Sequence, residues 1–155
     1  MTRENLSDYD IPSRRFNFHE DLKFGKKGEK LVEDFLDALS EGSFEVKTDR
    51  YRNGRMVIET MQNPRKKKNE DGTAFWKPSG IEVTKAKWWV YVYTLDNNEG
   101  AFVVVAVERI KRYINAHQES MDIMDFAKAS SNPCKGYLLQ PEQVMDMLIN
   151  KEYDC

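Results

Sequence analysis

Two periods of apolar and polar positions alternate along the chain. Downstream of Gly25, the residues Leu31, Val32, Phe35, Leu36 and Leu39 recur at helical spacing, and Gly42 marks a stop. On a helical wheel Glu29 falls at the rim of this apolar stripe, beside Leu36, with Glu33 further out. The period then changes to two. Phe44, Val46 and Thr48 alternate with Glu45, Lys47 and Asp49, which predicts a strand over Ser43 to Arg50. A second strand is predicted from Arg55 to Gln62, and Asn53-Gly54 between them is a hairpin signal. A two-residue loop would mix polar and apolar side chains on each face. A three-residue loop, Arg52-Asn53-Gly54, instead gathers Phe44, Val46, Thr48, Met56, Ile58 and Thr60 on one apolar face. Register follows the hydrophobic pattern, so the longer loop is expected. Glu45, Lys47, Asp49 and Glu59 then project from the other face, with Lys47 opposite Glu59 and Asp49 opposite Val57.

Further along, Asn63 to Pro78 reads as a polar loop and Ser79 to Lys87 as a short helical turn. Lys87 to Leu95 is nearly continuous apolar and aromatic, Asn97 to Gly100 is a turn, and Ala101 to Val107 is all apolar. Such runs fit strands covered on both faces. Helices are predicted over Glu108–His117 and Glu119–Ala129, and Pro141 opens a last one that presents Val144, Met147 and Leu148. This mixture of helices and strands gives a mixed α/β (α+β) class. Residues 1–22 fit neither period and are expected to form an arm. Residues 23–155 are expected to form one domain, with a core over 23–117 and C-terminal helices over 119–151.

Composition narrows the classes. The 155 residues are 32% charged and 40% hydrophobic, as in a globular chain of one domain. No run of eighteen apolar residues occurs and the first twenty residues lack an apolar core, so neither a membrane span nor a secretory signal is expected. With Cys134 and Cys155 as the two cysteines, a zinc ribbon or disulfide scaffold is poorly supported and a reducing cytoplasm fits. The net charge of −2 excludes a uniformly basic nucleic-acid binder. It hides a local field, however. Lys47, Arg50, Arg52, Arg55, Arg65, Lys66, Lys67 and Lys68 fall within one stretch, interrupted by Asp49 and Glu59 alone among acids.

Those two acids beside a lysine carry the candidate chemistry. Two carboxylates on one face repel unless a cation sits between them. A hard divalent ion takes one or two carboxylates and completes its shell with water and phosphate. It would stabilise charge on a phosphodiester and acidify a bound water, while a lysine steadies developing negative charge. The basic flank would hold a nucleic-acid backbone. The same charges would equally form an ordinary cross-strand ladder, Lys47 with Glu59 and Arg50 or Arg55 with Asp49.

Helix-borne Glu29, then Asp49, then nine residues, then Glu59 resembles the PD-(D/E)XK nuclease superfamily. The helix Gly25-Lys26-Lys27-Gly28-Glu29-Lys30-Leu31-Val32 is similar to its first helix. The string Phe44-Glu45-Val46-Lys47-Thr48-Asp49-Arg50, Val57-Ile58-Glu59, Pro78-Ser79-Gly80-Ile81 and Thr84-Lys85-Ala86-Lys87-Trp88-Trp89 is similar to small phage-encoded, resolvase-like members. The likeness covers about Lys23 to Val107. It implies a restriction-endonuclease-like domain, a central mixed sheet of about four strands flanked by helices, and magnesium- or manganese-dependent hydrolysis of DNA in a host cytoplasm. By the same resemblance Asp49 and Glu59 bind the metal with the carbonyl of Thr60. Lys47 orients water or stabilises the pentavalent state, Glu29 acts through a metal-bound water, and Glu45 is a secondary catalytic candidate. Arg50, Arg65, Lys66, Lys67, Lys68, Ser79 and Lys85 are candidates for phosphate contact, and symmetric cutting of two strands would call for a homodimer. The superfamily has a lysine two residues after the second acid, where this chain has Met61. Reading Glu45-Val46-Lys47 as the acid-x-lysine element leaves no aspartate before it, so the division of roles between Glu45 and Glu59 stays open.

Other features point less sharply. His19 and His117 read as surface residues, Ser79-Gly80 as a turn or phosphate contact, Trp88 to Tyr93 as a core strand rather than a stacking platform, and Met121, Met124, Met145 and Met147 as helix packing. Two rivals remain, a nucleic-acid-binding protein with an inactive site and a phage interaction protein. The second would dock a partner through the half from Ser79 onward, which holds 11 acids against 8 bases.

Overall fold

A computed structural model describes residues 18–96 and 99–154. Of the expected arm, residues 1–17 lie outside the described residues, as do Asn97 and Asn98 of the expected turn. The class is mixed α/β, with three α-helices and two sheets among the described residues. The chain divides into two units, residues 1–37 and residues 38–155.

The first unit contributes most of helix α1, Phe18–Ser40. It begins well before Gly25, so residues 18–22 of the expected arm are helical. Lysines and acids favour the helix here, and Glu20 and Asp21 in its first turn complement its dipole. Lys30 and Asp34 pair one turn apart. The apolar stripe is present, but Leu31, Val32 and Leu36 are exposed, so the burial inferred from periodicity does not hold for them.

In the second unit, β1 (Phe44–Thr48), β4 (Trp88–Asp96) and β5 (Glu99–Ala106) form one sheet in the order β1-β4-β5. β2 (Met56–Gln62), β3 (Lys77–Pro78), β6 (Ile123–Phe126) and β7 (Cys134–Leu139) form the other, in the order β3-β2-β7-β6. The strands therefore make two sheets where one central sheet was expected, and the β1–β2 hairpin does not exist. β1 pairs in parallel with β4, Glu45 beside Trp89 and Lys47 beside Tyr91. β2 pairs antiparallel with β7. The turn chemistry is present all the same: Asp49 Oδ1 accepts the Tyr51 N–H and Asn53 Oδ1 accepts the Arg55 N–H. It carries the chain from one sheet into the other. Local turn signals do not choose between pairing with the next strand and pairing with a later, more apolar one.

The inward face of β1 is also reversed. Val46 is 49% exposed and Thr48 is exposed, while Glu45 and Lys47 are half-buried beside core aromatics. β2 keeps the expected parity, with Met56, Ile58 and Thr60 buried and Val57 and Glu59 half-buried. The core joins both sheets: Met56 and Ile58 of β2, Trp89 of β4 and Leu139 of β7 are fully buried. Ile110 of α2 (Val107–His117) and Met147 of α3 (Pro141–Ile149) complete it. β5 is an edge strand whose Phe102 is 58% exposed, so the all-apolar run is not covered on both faces.

The expected helix over Glu119–Ala129 is instead a short turn, Gln118–Ser120, followed by β6 and the β6–β7 hairpin. Met124 accordingly lies exposed on a strand, and Met145 is exposed on α3. The C-terminal helix is as predicted, opened by Pro141 and by the Gln140 N–H donating to Gln143 Oε1 at 2.8 Å. His117 is not a plain surface residue. Its Nε2 lies 2.6 Å from the Tyr153 hydroxyl and its ring packs on Tyr113. No helix of the described residues is long and apolar enough to cross a membrane.

Candidate active site and nucleic-acid interface

The period of two places Glu45, Lys47 and Asp49 on one face of β1 and its extension. Lys47 Nζ lies 2.7 Å from Glu45 Oε1 and 5.4 Å from the centre of the Trp89 ring. Asp49 adds one rung to the ladder, its N–H donating to the Val92 carbonyl at 2.8 Å. Its carboxylate borders a cavity of about 200 Å³ together with Tyr51, Arg55, Val57 and Tyr91. The Tyr91 hydroxyl accepts the Val57 N–H at 3.2 Å, tying β2 to the same place. Burial pushes the Tyr91 hydroxyl pKa up, and the negative charge of Asp49 adds to that. Tyr93 is pushed up to about 12, first by burial and then by Tyr91 and Asp49.

Glu59 is fixed by close backbone approach from two sides. Gly80 has φ +53, and a Cβ there would lie 2.2 Å from the Glu59 carbonyl oxygen. A Cβ on Gly136 would lie 2.2 Å from the Ile58 oxygen. Only glycine fits either position. The β2–β7 register shifts between Glu59 and Met61, a bulge of the kind that re-aims side chains. The Cys134 pKa is pushed up to about 11, mainly by burial; the negative charge of Glu59 adds to it and Lys47 opposes. Lys47 and Glu59 thus act on one thiol, from strands in different sheets. The expected cross-strand pair of Lys47 with Glu59 is not formed, and Lys47 pairs with Glu45 of its own strand instead.

Several expected contacts are placed otherwise. The Thr60 carbonyl, the expected backbone ligand, accepts the Ser79 N–H at 2.9 Å, and the Thr60 side chain is buried. Ser79 is 8% exposed with its hydroxyl buried and unpartnered, which removes it from the surface that a phosphate would meet. Glu29 is exposed on α1 of the first unit. Arg50 and Lys85 are exposed. Among the described residues no group of three or more His, Cys, Asp or Glu is arranged to hold a metal ion. Carboxylate oxygens nonetheless suit a hard divalent cation, which needs one or two of them when substrate phosphate and water complete its shell.

The loop after β2 is folded rather than loose. The Asn63 N–H donates to the Pro133 carbonyl and the Arg65 N–H to Asn132 Oδ1, at 2.8 and 3.0 Å. Lys68 bridges Ala74, and the Phe75 N–H donates to the Lys67 carbonyl. The Thr73 hydroxyl, donating to Asp71 at 2.6 Å, closes the tip and holds the Asp71 carboxyl below the usual carboxylate range. Arg65 and Lys66 adopt left-handed backbone, φ 55 and 52. The side chains of Arg65, Lys66, Lys67 and Lys68 are all exposed. No ion pair among the described residues involves any of them.

Two features here escaped the sequence reading. Cys134 was weighed only as a zinc or disulfide residue, and its position on β7 opposite β2 depends on a strand that was not predicted. Phe75 and Trp76 were passed over inside a loop, although an aromatic pair closing a basic run was a visible signal. Comparison with protein-family models, with curated proteins and with solved structures gives no match.

Proposed function

We propose that this chain is a metal-dependent nuclease acting on DNA. The observation that carries the reading is the alignment of Glu45, Lys47 and Asp49 on the inward face of β1 and its extension, with Lys47 Nζ held 2.7 Å from Glu45 Oε1. Turning charges toward core aromatics while Val46 faces solvent works against stability, and such local conflicts concentrate at functional sites.

In this reading Asp49 and Glu59 would hold magnesium or manganese, which supplies charge neutralisation on the phosphodiester and a more acidic water. Lys47 donates hydrogen bonds toward the negative charge that develops on the phosphate. Glu45, paired with Lys47, fixes where that ammonium points. The close approach of Gly80 and Gly136 fixes the backbone from which the Glu59 side chain projects. The exposed Arg65–Lys68 loop engages the backbone without reading bases. A second reading, a non-cutting nucleic-acid-binding protein, is favoured by Met61, which stands where the resemblance expects a lysine.

The test is incubation with supercoiled, linear, single-stranded and branched DNA, with magnesium, manganese or chelator. The nuclease reading expects metal-dependent cleavage that Asp49→Ala, Glu59→Ala and Lys47→Met each abolish in folded protein. Undiminished cutting by Asp49→Ala or Glu59→Ala would refute the site assignment. Binding without cleavage under every condition would select the second reading.

A further inference from the structure

We infer that the basic loop and the aromatic pair closing it form a binding site for single-stranded polynucleotide. Bases stack on Phe75 and Trp76, and the lysines now over those rings turn to the flanking phosphates. This rests on the nucleic-acid reading above and names the form of nucleic acid that the surface takes.

Lys67 Nζ lies 4.9 Å from the centre of the Phe75 ring, and Lys135 Nζ lies 4.6 Å from that of Trp76. Neither ring belongs to the core, and both are only half-buried, whereas Trp88 and Trp89 are buried. A cation over a partly exposed ring is a weak contact, and a base stacked on the same ring is a stronger one. A base arriving there would displace the ammonium, which would then meet the adjoining phosphate. Lys67 belongs to the four-cation run itself, while Lys135 comes from β7, where it also forms a long pair with the exposed Asp125 at 3.8 Å, so positive charge borders the aromatic pair from two elements.

The loop gains no ion pair among the described residues from its charges. Arg65 and Lys66 hold strained left-handed backbone, and neither side chain has an ion-pair partner among the described residues. Such strain concentrates at ligand clamps. The backbone ties to Asn132 and Pro133 order the loop in advance, which lowers the entropic cost of binding. A duplex would meet the cations but keep its bases paired and stacked, leaving the rings unused. A single strand satisfies both.

The experiment measures binding of the full chain to a short oligothymidylate and to a duplex of equal length, in chelator so that nothing is cut. Fluorescence anisotropy gives affinity, and the part of the tryptophan emission that Trp76→Phe removes reports on Trp76, Trp88 and Trp89 supplying the remainder. The single strand is expected to bind more tightly and to quench that emission. Phe75→Leu and Trp76→Leu keep apolar bulk but lose the ring. Each should weaken single-strand binding by roughly 5- to 100-fold, with Trp76→Phe retaining most of the affinity and duplex binding unchanged within about twofold. Equal losses on both substrates, or none, would overturn the inference while leaving nucleic-acid binding intact. Failure to bind either form would overturn both.

Discussion

Arg109 and Arg112 of α2 direct their donors into hydrogen bonds of the chain, whereas the exposed side chains of Arg65 to Lys68 form no ion pair among the described residues, and Lys67 rests only on the Phe75 ring. Arg109 Nε donates to the Met147 carbonyl at 2.7 Å, Nη2 to the Asn150 carbonyl and Nη1 to Asp154, each at 2.6 Å. Arg112 Nε donates to the Tyr153 carbonyl at 2.8 Å. The Tyr153 hydroxyl meets His117, and Asn150 donates to Asp146. Each of these groups finds a partner a few ångströms away, and together they fasten the C-terminal segment to α2. The basic loop is also tied down, by backbone groups and by the Asn132 and Asp71 side chains, while its four cations form no ion pair among the described residues. Charge matched inside a chain contributes to stability. Charge held rigid and unmatched is available to another molecule.

Breaking the C-terminal network gives the largest expected change in stability. Arg109→Ala leaves the Met147 and Asn150 carbonyls without their donor and should destabilise by roughly 2–4 kcal/mol in urea titration. Asp154→Ala should cost less than about 1 kcal/mol, because Asp154 is largely exposed and its pair is screened. A larger loss from Asp154→Ala than from Arg109→Ala would reverse the account, making the ion pair rather than the carbonyl bonds the fastening.

The loop should behave in the opposite way. Replacing Arg65, Lys66, Lys67 and Lys68 together with alanine should change stability by no more than about 0.5 kcal/mol, as for surface positions. Binding should respond instead. Each lost phosphate contact flattens the log–log salt dependence by about 0.9 on duplex, so four would flatten it by roughly 3–4 units. An unchanged slope with a clear loss of stability would make the loop a structural element like the C-terminal network.

What the sequence disclosed follows the range of the forces involved. α2, α3 and the central apolar strand β4 were legible because period and caps are local. The turn at Asn53-Gly54 was legible for the same reason, whereas the turn at Asp49–Tyr51 was read as strand. Strand partnership was not. β1 pairs with β4 because of what lies forty residues later, and nothing in Asn53-Gly54 encodes that choice. β7 was missed because Cys134-Lys135-Gly136-Tyr137-Leu138-Leu139 is short, weakly alternating and broken by glycine. With β7 went Cys134 and the grip of Gly136 on β2. The hydrophobic pattern of β1 misled for a physical reason: it assumes that apolar residues face inward, and at this site Glu45 and Lys47 do.

The smallest expected effect is also the most direct probe of whether the candidate charges share one space. Cys134 is raised from its ordinary 9.0 to about 11 by burial and by Glu59, with Lys47 opposing. The fold therefore favours the protonated thiol. Stability from this group is complete below about pH 9, where the unfolded thiol is also protonated, and is lost as pH rises toward 11. Alkylation requires thiolate, so in a Cys155→Ser background, free of divalent metal, Cys134 should react slowly at neutral pH and accelerate only toward strongly alkaline pH. Glu59→Gln removes a negative neighbour and should speed alkylation at fixed pH, and Lys47→Met removes a positive one and should slow it. The opposite signs matter more than the sizes, because a general loosening of the fold would accelerate both. Identical acceleration in the two variants, or no response in either, would mean that Lys47 and Glu59 do not meet at Cys134. The half of the molecule that looks unspent would then reduce to the basic loop alone.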